Sequence, residues 1–277
     1  MRGVGLAPVV GAGGKVVRQE GGSMSAAVEA DDIELYVGSG VTPIVEHLTL
    51  AIADGERLAI LGPSGGGKTT FLNMIAGLQQ YTGGTLRVRG EQPRAGRPDM
   101  AYAMARDALL PWRTAVENVE LPLVIQGVRA SERRERALSA LDQVGLINAA
   151  GEYRARLSQG MRQRVALART FVTQPSLLLL DEPFAALDAQ TRVLMSELLL
   201  RLVEASRGTA ILVTHDLGEA IAFGDRIVLL SSRPACVRAI YDVSIPRPRD
   251  VHRLRLEPSF VELYGQIWDA LRAELTL

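Results

Sequence analysis

The chain is read as an α/β protein, a mostly parallel sheet covered by helices. Three observations predict this. Short apolar runs of strand length recur at Arg57–Gly62, Leu177–Asp181, Ala210–Thr214 and Arg226–Leu230, separated by helical stretches, which is how strands alternate with helices around a parallel sheet. One of these runs passes through a glycine-rich turn directly into a helix, Thr69 to Ala76. The stretch of roughly residues 95–165 is helix-biased and interrupts the alternation.

The elements follow in order. Residues 1–31 are rich in Gly, Ala and Val without turn-bounded periodicity and read as a disordered extension. Residues 1–23 show no structural logic, and one codon choice for Gln19-Glu20-Gly21 spells AGGAGG, a bacterial ribosome-binding sequence. Two readings stay open: residues 1–23 translate a leader and the chain starts at Met24, or they form a genuine extension from Met1. In the helix-biased middle, Ser131 is placed to cap a helix running through Leu138, Leu141 and Val144 to a stop at Gly145. The last helix starts near Pro258 and repeats apolar residues at Phe260, Leu263, Tyr264, Ile267, Trp268 and Leu271, a face that packs on the core.

Composition narrows the function. With 277 residues and 47% hydrophobic composition the chain can bury a sizeable core. Lys+Arg and Asp+Glu both number 31, a neutral balance that argues against nucleic acid as the main partner. The single cysteine, Cys236, allows no internal disulfide. No run approaches the ~18–20 apolar residues of a membrane helix, so any membrane work needs another subunit to cross.

The strongest motif is Gly62-Pro63-Ser64-Gly65-Gly66-Gly67-Lys68-Thr69-Thr70 after a strand and before a helix. In that setting the glycines let several backbone N–H groups face one phosphate chain, and the helix start adds partial positive charge. Lys68 then reaches the β- and γ-phosphates of a nucleotide and Thr69 can ligate Mg²⁺. A second motif ends a buried strand in two acids, Asp181 and Glu182. Because successive strand side chains point to opposite sides, the acids can take different tasks: Asp181 orients Mg²⁺ through water, and Glu182 polarises an attacking water.

The order of five motifs resembles the ATPase subunits of ABC transporters: the P-loop, Leu157-Ser158-Gln159-Gly160-Met161-Arg162-Gln163-Arg164, Asp181-Glu182, Ala186-Leu187-Asp188 and His215. The resemblance covers about residues 32–245, with a helical subdomain at about 95–165 and a C-terminal helical tail at 246–277. It implies a P-loop NTPase fold of the ABC type, a mixed sheet core with an inserted helical subdomain. It implies ATP and Mg²⁺ as ligands and a head-to-tail dimer. In such a dimer Ser158, Gln159 and Gly160 would meet the partner's ATP, Asp188 would couple the two sites, and His215 would sense the γ-phosphate. Tyr36 falls where the family places an aromatic against adenine; the competing reading is a strand packing residue.

Two departures stand out. The loop Ala103–Thr114 has Ala105 where most relatives carry a glutamine that supplies an oxygen to metal or water, and the signature reads LSQGM rather than LSGGQ. Leu109-Leu110-Pro111-Trp112-Arg113-Thr114 and the short tail resemble one branch, the importers of nitrate, sulfonate, taurine and related organic anions. That implies permease partners, indirectly a periplasmic or extracellular solute-binding protein, and a place on the cytoplasmic face of the inner membrane. Alternatives are an exporter subunit, or a non-transport ABC ATPase acting on a soluble partner.

Overall fold

The computed structural model describes residues 26–38 and 42–275. They fall into two compact units, one holding the chain up to Ala95 and from Ile211 onward, the other Gly96–Ala210.

In the first unit, β1 (Ala26–Val37) and β2 (Thr42–Ala53) form an antiparallel pair, and β4 (Gly83–Val88) joins β1 on its other side. Val28 faces both Ile52 and Val88 in register, and all three are fully buried. This corrects the reading of residues 1–31 as disordered: residues 26–31 are strand, ordered by partners some 25 and 60 positions away, which local composition cannot reveal. The start-site expectation for residues 1–23 lies outside the described residues. The unit's second sheet orders β7 (Thr209–Val213, which enters from the other unit), β3 (Arg57–Leu61), β8 (Arg226–Leu230) and β9 (Val237–Asp242). β3 and β8 run parallel and β9 antiparallel, so the sheet is mixed. β3 and β7 are buried at every position, as expected for strands covered on both faces. Around them lie α1 (Lys68–Ile75), α6 (Leu217–Phe223), α7 (Val251–Leu254) and α8 (Pro258–Leu275).

In the second unit, β5 (Met100–Ala103) pairs in parallel with β6 (Leu177–Asp181), and the helices are α2 (Ala115–Ile125), α3 (Ala130–Gln143), α4 (Gln159–Phe171) and α5 (Ala189–Ser206). α3 starts one residue before the expected cap. Arg133 N–H already bonds to Arg129 C=O at 2.9 Å, so Ser131 sits inside the first turn and caps nothing. The far end follows the sequence reading: Gly145 takes φ +71°, and Leu146 N–H reaches back to Leu141 C=O at 2.8 Å. Among the described residues no helix is long and apolar enough to cross a membrane.

α8 does not pack by the whole expected face. Phe260, Ile267 and Leu271 are buried, whereas Tyr264 and Trp268 are 39% and 45% exposed. The six apolar residues span more of the helix circumference than the first unit covers.

Candidate functional site

The phosphate motif lies in the first unit. Fully buried β3 ends at Leu61, the loop runs through Gly62–Gly67, and α1 begins at Lys68. Two glycines are required by contact. A Cβ on Gly66 would stand 2.9 Å from Ser231 C=O, and one on Gly67 would stand 2.8 Å from Ala235 Cβ; Gly67 also holds φ +87°. The loop is thus pressed against the segment that follows β8. Lys68 is 4% exposed and its ammonium donates to Gly62 C=O and Pro63 C=O, each at 2.8 Å. Those bonds fold the lysine back over its own loop. Thr69 is exposed and Thr70 half-buried on the first turn of α1. Ser64 and Gly65 are exposed at the loop's crest, and Pro63 is half-buried.

α1 differs from four other helices of the chain. Helices α2, α4, α5 and α6 each carry a side-chain cap, from Thr114, Ser158, Asp188 and Asp216, whereas α1 has none and no acid in its first turn. Backbone N–H groups at an uncapped helix start, beside a lysine, form an anion-binding arrangement.

His215 is exposed in the turn between β7 and the α6 cap, Asp216. Tyr36 occupies the end of β1 opposite Pro43, half-buried, with its hydroxyl donating to Glu46 Oε1 at 3.1 Å. That bond, and burial next, raise the phenol pKa. Its strand role is therefore explicit, and its half-exposed ring keeps a face outside the core.

The second unit holds the acids. Asp181 is the last residue of β6 and receives the Tyr102 hydroxyl at a long 3.4 Å. Burial first, then the Asp181 charge, push the Tyr102 phenol well above its usual value, so it stays a donor. Glu182 lies beyond the strand with φ +45°, an uncommon backbone for a non-glycine residue. This corrects the reasoning from strand alternation: the turn, not the pleat, sets the direction of Glu182. The turn is itself anchored. Gln163 on α4, 6% exposed, donates to Pro183 C=O, and Gln159, one helical turn earlier, donates to Ala186 C=O at 2.6 Å. The signature helix thus holds the turn after Glu182 at two points. Neither contact was anticipated; the i, i+4 glutamines were the only signal.

Ser158 caps α4 by accepting Met161 N–H at 3.3 Å, and Gly160 lies in its first turn, 3.4 Å (as a Cβ) from Thr191. Asp188 caps α5 by accepting Thr191 N–H at 3.0 Å, and that bond holds its carboxyl below the usual range. Both residues have local structural work.

The loop after β5 is more tightly built than the sequence suggested. Asp107 takes Arg154 Nε at 3.0 Å and Nη2 at 3.2 Å, lies 3.5 Å from Arg162, and accepts Leu109 N–H at 3.1 Å. Arg169 binds the carbonyls of Asp107 and Ala108 at 2.7 and 2.8 Å. Asn118, 1% exposed, accepts Leu110 N–H and donates to the carbonyls of Leu110, Arg113 and Thr114. On this pinned loop Leu109 is core at 5% exposure, while Trp112 is 71% exposed. Ala105 is half-buried, and its methyl offers no ligand atom.

Mg²⁺ prefers hard oxygen donors, and the two residues expected to serve it, the Thr69 hydroxyl and the Asp181 carboxylate, meet that chemistry.

Residues 45–185 match the family described as ABC transporter. The chain is 40% identical over 237 residues to an uncharacterised ABC transporter ATP-binding protein, YtlC, of Bacillus subtilis, covering 84% of this chain and 90% of that one. It is 38% identical to the bicarbonate transport ATP-binding protein CmpD of Synechococcus elongatus, covering 84% of each. To the nitrate import ATP-binding protein NrtC of Synechococcus elongatus it is 39% identical, over 86% of this chain and 36% of that longer protein. Among solved structures, the dimeric post-hydrolysis state of the ATP-binding cassette MJ0796 bound to ADP and Pi superposes with a TM-score of 0.69 at 31% identity, covering 79% of this chain and all of that one. With this fold, these motifs and these relatives, the chain belongs to the ABC transporter family as an ATP-hydrolysing, ATP-binding subunit.

Proposed function

We propose that this subunit powers an importer of a small anion such as nitrate, bicarbonate, a sulfonate or taurine, working as a head-to-tail pair on the cytoplasmic face of the membrane. The transport relatives CmpD and NrtC support the anion class, and the dimeric cassette supports pairing. The observation that carries coupling to a permease is Trp112, a large apolar side chain 71% exposed on a loop pinned by Asp107 and Asn118. A rigid exposed aromatic loses little freedom on docking. A periplasmic or extracellular solute-binding protein completes the assembly and chooses the solute.

In the reaction, the P-loop amides and Lys68 hold the phosphates of ATP, with Tyr36 against the adenine. Thr69 and Asp181 would hold Mg²⁺, which supplies charge neutralisation on the phosphates when bound. Glu182 accepts hydrogen bonding from the attacking water and orients it, His215 monitors the γ-phosphate, and Ser158, Gln159 and Gly160 serve the partner's nucleotide. Asp188 relays between the two sites.

The test is association. Trp112→Ala should lower co-purification with the permease several-fold and leave basal ATP hydrolysis nearly unchanged. Undiminished permease capture would remove the docking role, and hydrolysis in proteoliposomes unresponsive to every small anion tried would remove the substrate class.

A further inference from the structure

A buried acid at the far end of the chain has no part in the chemistry above. Glu274, in the last turn of α8, is 9% exposed and lies on the same helix stripe as the buried Phe260, Ile267 and Leu271. A carboxylate costs more to bury there than a leucine would, so its partners matter. Oε2 accepts the backbone N–H of Ser232 at 3.2 Å, and Oε1 pairs with Arg238 Nε at 3.0 Å.

Ser232 belongs to the segment after β8 that backs the P-loop. Ser231 there is closed on itself: its N–H bonds to Cys236 C=O at 3.0 Å, and its hydroxyl donates to Pro234 C=O at 2.6 Å and accepts Cys236 N–H at 2.9 Å. Ala235 is stitched to β2, donating to Ile44 C=O at 2.8 Å and accepting Glu46 N–H at 3.1 Å. The same two residues, Ser231 and Ala235, fill the space where Gly66 and Gly67 would carry a Cβ. Any shift of this segment is therefore passed to the cradle by direct contact.

We propose that Glu274 is a positioning residue for the nucleotide phosphates: through Ser232 it holds the 231–236 segment against Gly66 and Gly67 and so keeps the P-loop amides in binding geometry. The C-terminal helix then contributes to nucleotide affinity through the segment that backs the P-loop. The inference rests on the P-loop reading of residues 62–70.

Equilibrium binding of mant-ATP to the full-length chain, with melting temperatures measured in parallel, tests it. Glu274→Ala should weaken binding about 3- to 10-fold, a fraction of what a charged hydrogen bond is worth when transmitted through one loop. Glu274→Gln keeps an acceptor for Ser232 N–H and should recover most of the affinity. Ile267→Val, a packing loss on the same helix, should lower the melting temperature without weakening binding. Lys68→Ala separates the two ideas: if it binds as wild type, the P-loop reading fails. If Lys68→Ala loses binding while Glu274→Ala and Arg238→Ala bind as wild type, the positioning role is overturned. It is also overturned if Ile267→Val weakens binding as much as Glu274→Ala at the same loss of melting temperature. Should Glu274→Ala not fold, Arg238→Ala, which removes the partner holding the other carboxylate oxygen, carries the test: weakened binding is expected, and wild-type affinity rejects the proposal.

Discussion

Replacing Asp107 by asparagine should destabilise the second unit and loosen the loop that displays Trp112. The carboxylate's side chain is 13% exposed, and it faces Arg154 and Arg162, which are 38% and 27% exposed. Asparagine keeps an oxygen for Leu109 N–H but removes the charge between two guanidinium groups. Breaking a fully buried pair costs ~3–5 kcal/mol, and partial exposure of both arginines screens this to about 2 kcal/mol. For a chain of this size that corresponds to a fall of about 4–8 °C in melting temperature. The effect is pH-dependent. Burial pushes the Asp107 pKa up, but Arg154, the Leu109 amide and Arg162 together outweigh it and hold the carboxyl below its usual 3.8. A depressed folded pKa gives stability that is present above the unfolded value and lost as pH falls through the folded one. The wild-type advantage should therefore be constant near neutral pH and shrink in acid below that value. Differential scanning fluorimetry of wild type, Asp107→Asn, Arg154→Met and the double variant measures it, with a coupling of ~1 kcal/mol or more expected in the cycle. A melting shift of under about 1 °C, or additive single effects, would refute the reasoning, since ordinary surface changes stay within ~0.5 kcal/mol.

Two further outcomes follow from residues of the first unit, the first with a control in the second. Gly67→Ala places a methyl 2.8 Å from Ala235 at φ +87° and should abolish most nucleotide binding, whereas Gly127→Ala, at φ +73° in open space, should cost about 1 kcal/mol of stability and leave binding intact; equal binding by both variants would reject the contact as the cause. His47 lies 2.7 Å from Asp32, whose hydrogen bond first and charge second raise the imidazole pKa above 6.5. The pair's stabilisation is thus present below 6.5 and lost as pH rises through the folded value. An NMR titration should show that pKa falling in Asp32→Asn, and an unchanged value would disprove the pairing in solution.

The sequence disclosed elements whose cause is local. Leu177–Asp181 and Arg226–Leu230 were read with their observed ends because each apolar run stops at a charge or a change of texture, and the P-loop because its spacing encodes its conformation. What stayed hidden depends on distant partners. Residues 26–31 are ordered by β2 and β4, and Glu182 leaves the strand before its side chain is aimed. Gln159 and Gln163 looked like polar positions on a helix; only the fold puts them on the Pro183 and Ala186 carbonyls. The split of α8 into buried and exposed apolar faces likewise needs the neighbouring surface to be known.

The most direct measurement is phosphate release by Glu182→Gln at saturating ATP, with bound nucleotide counted in the same sample. A positioned group that activates water is worth ~10²–10⁴ in rate. The account predicts ATP bound as in wild type, turnover reduced at least a hundredfold, and unhydrolysed ATP retained in a dimer. Hydrolysis near the wild-type rate would contradict it and remove Glu182 from the chemistry.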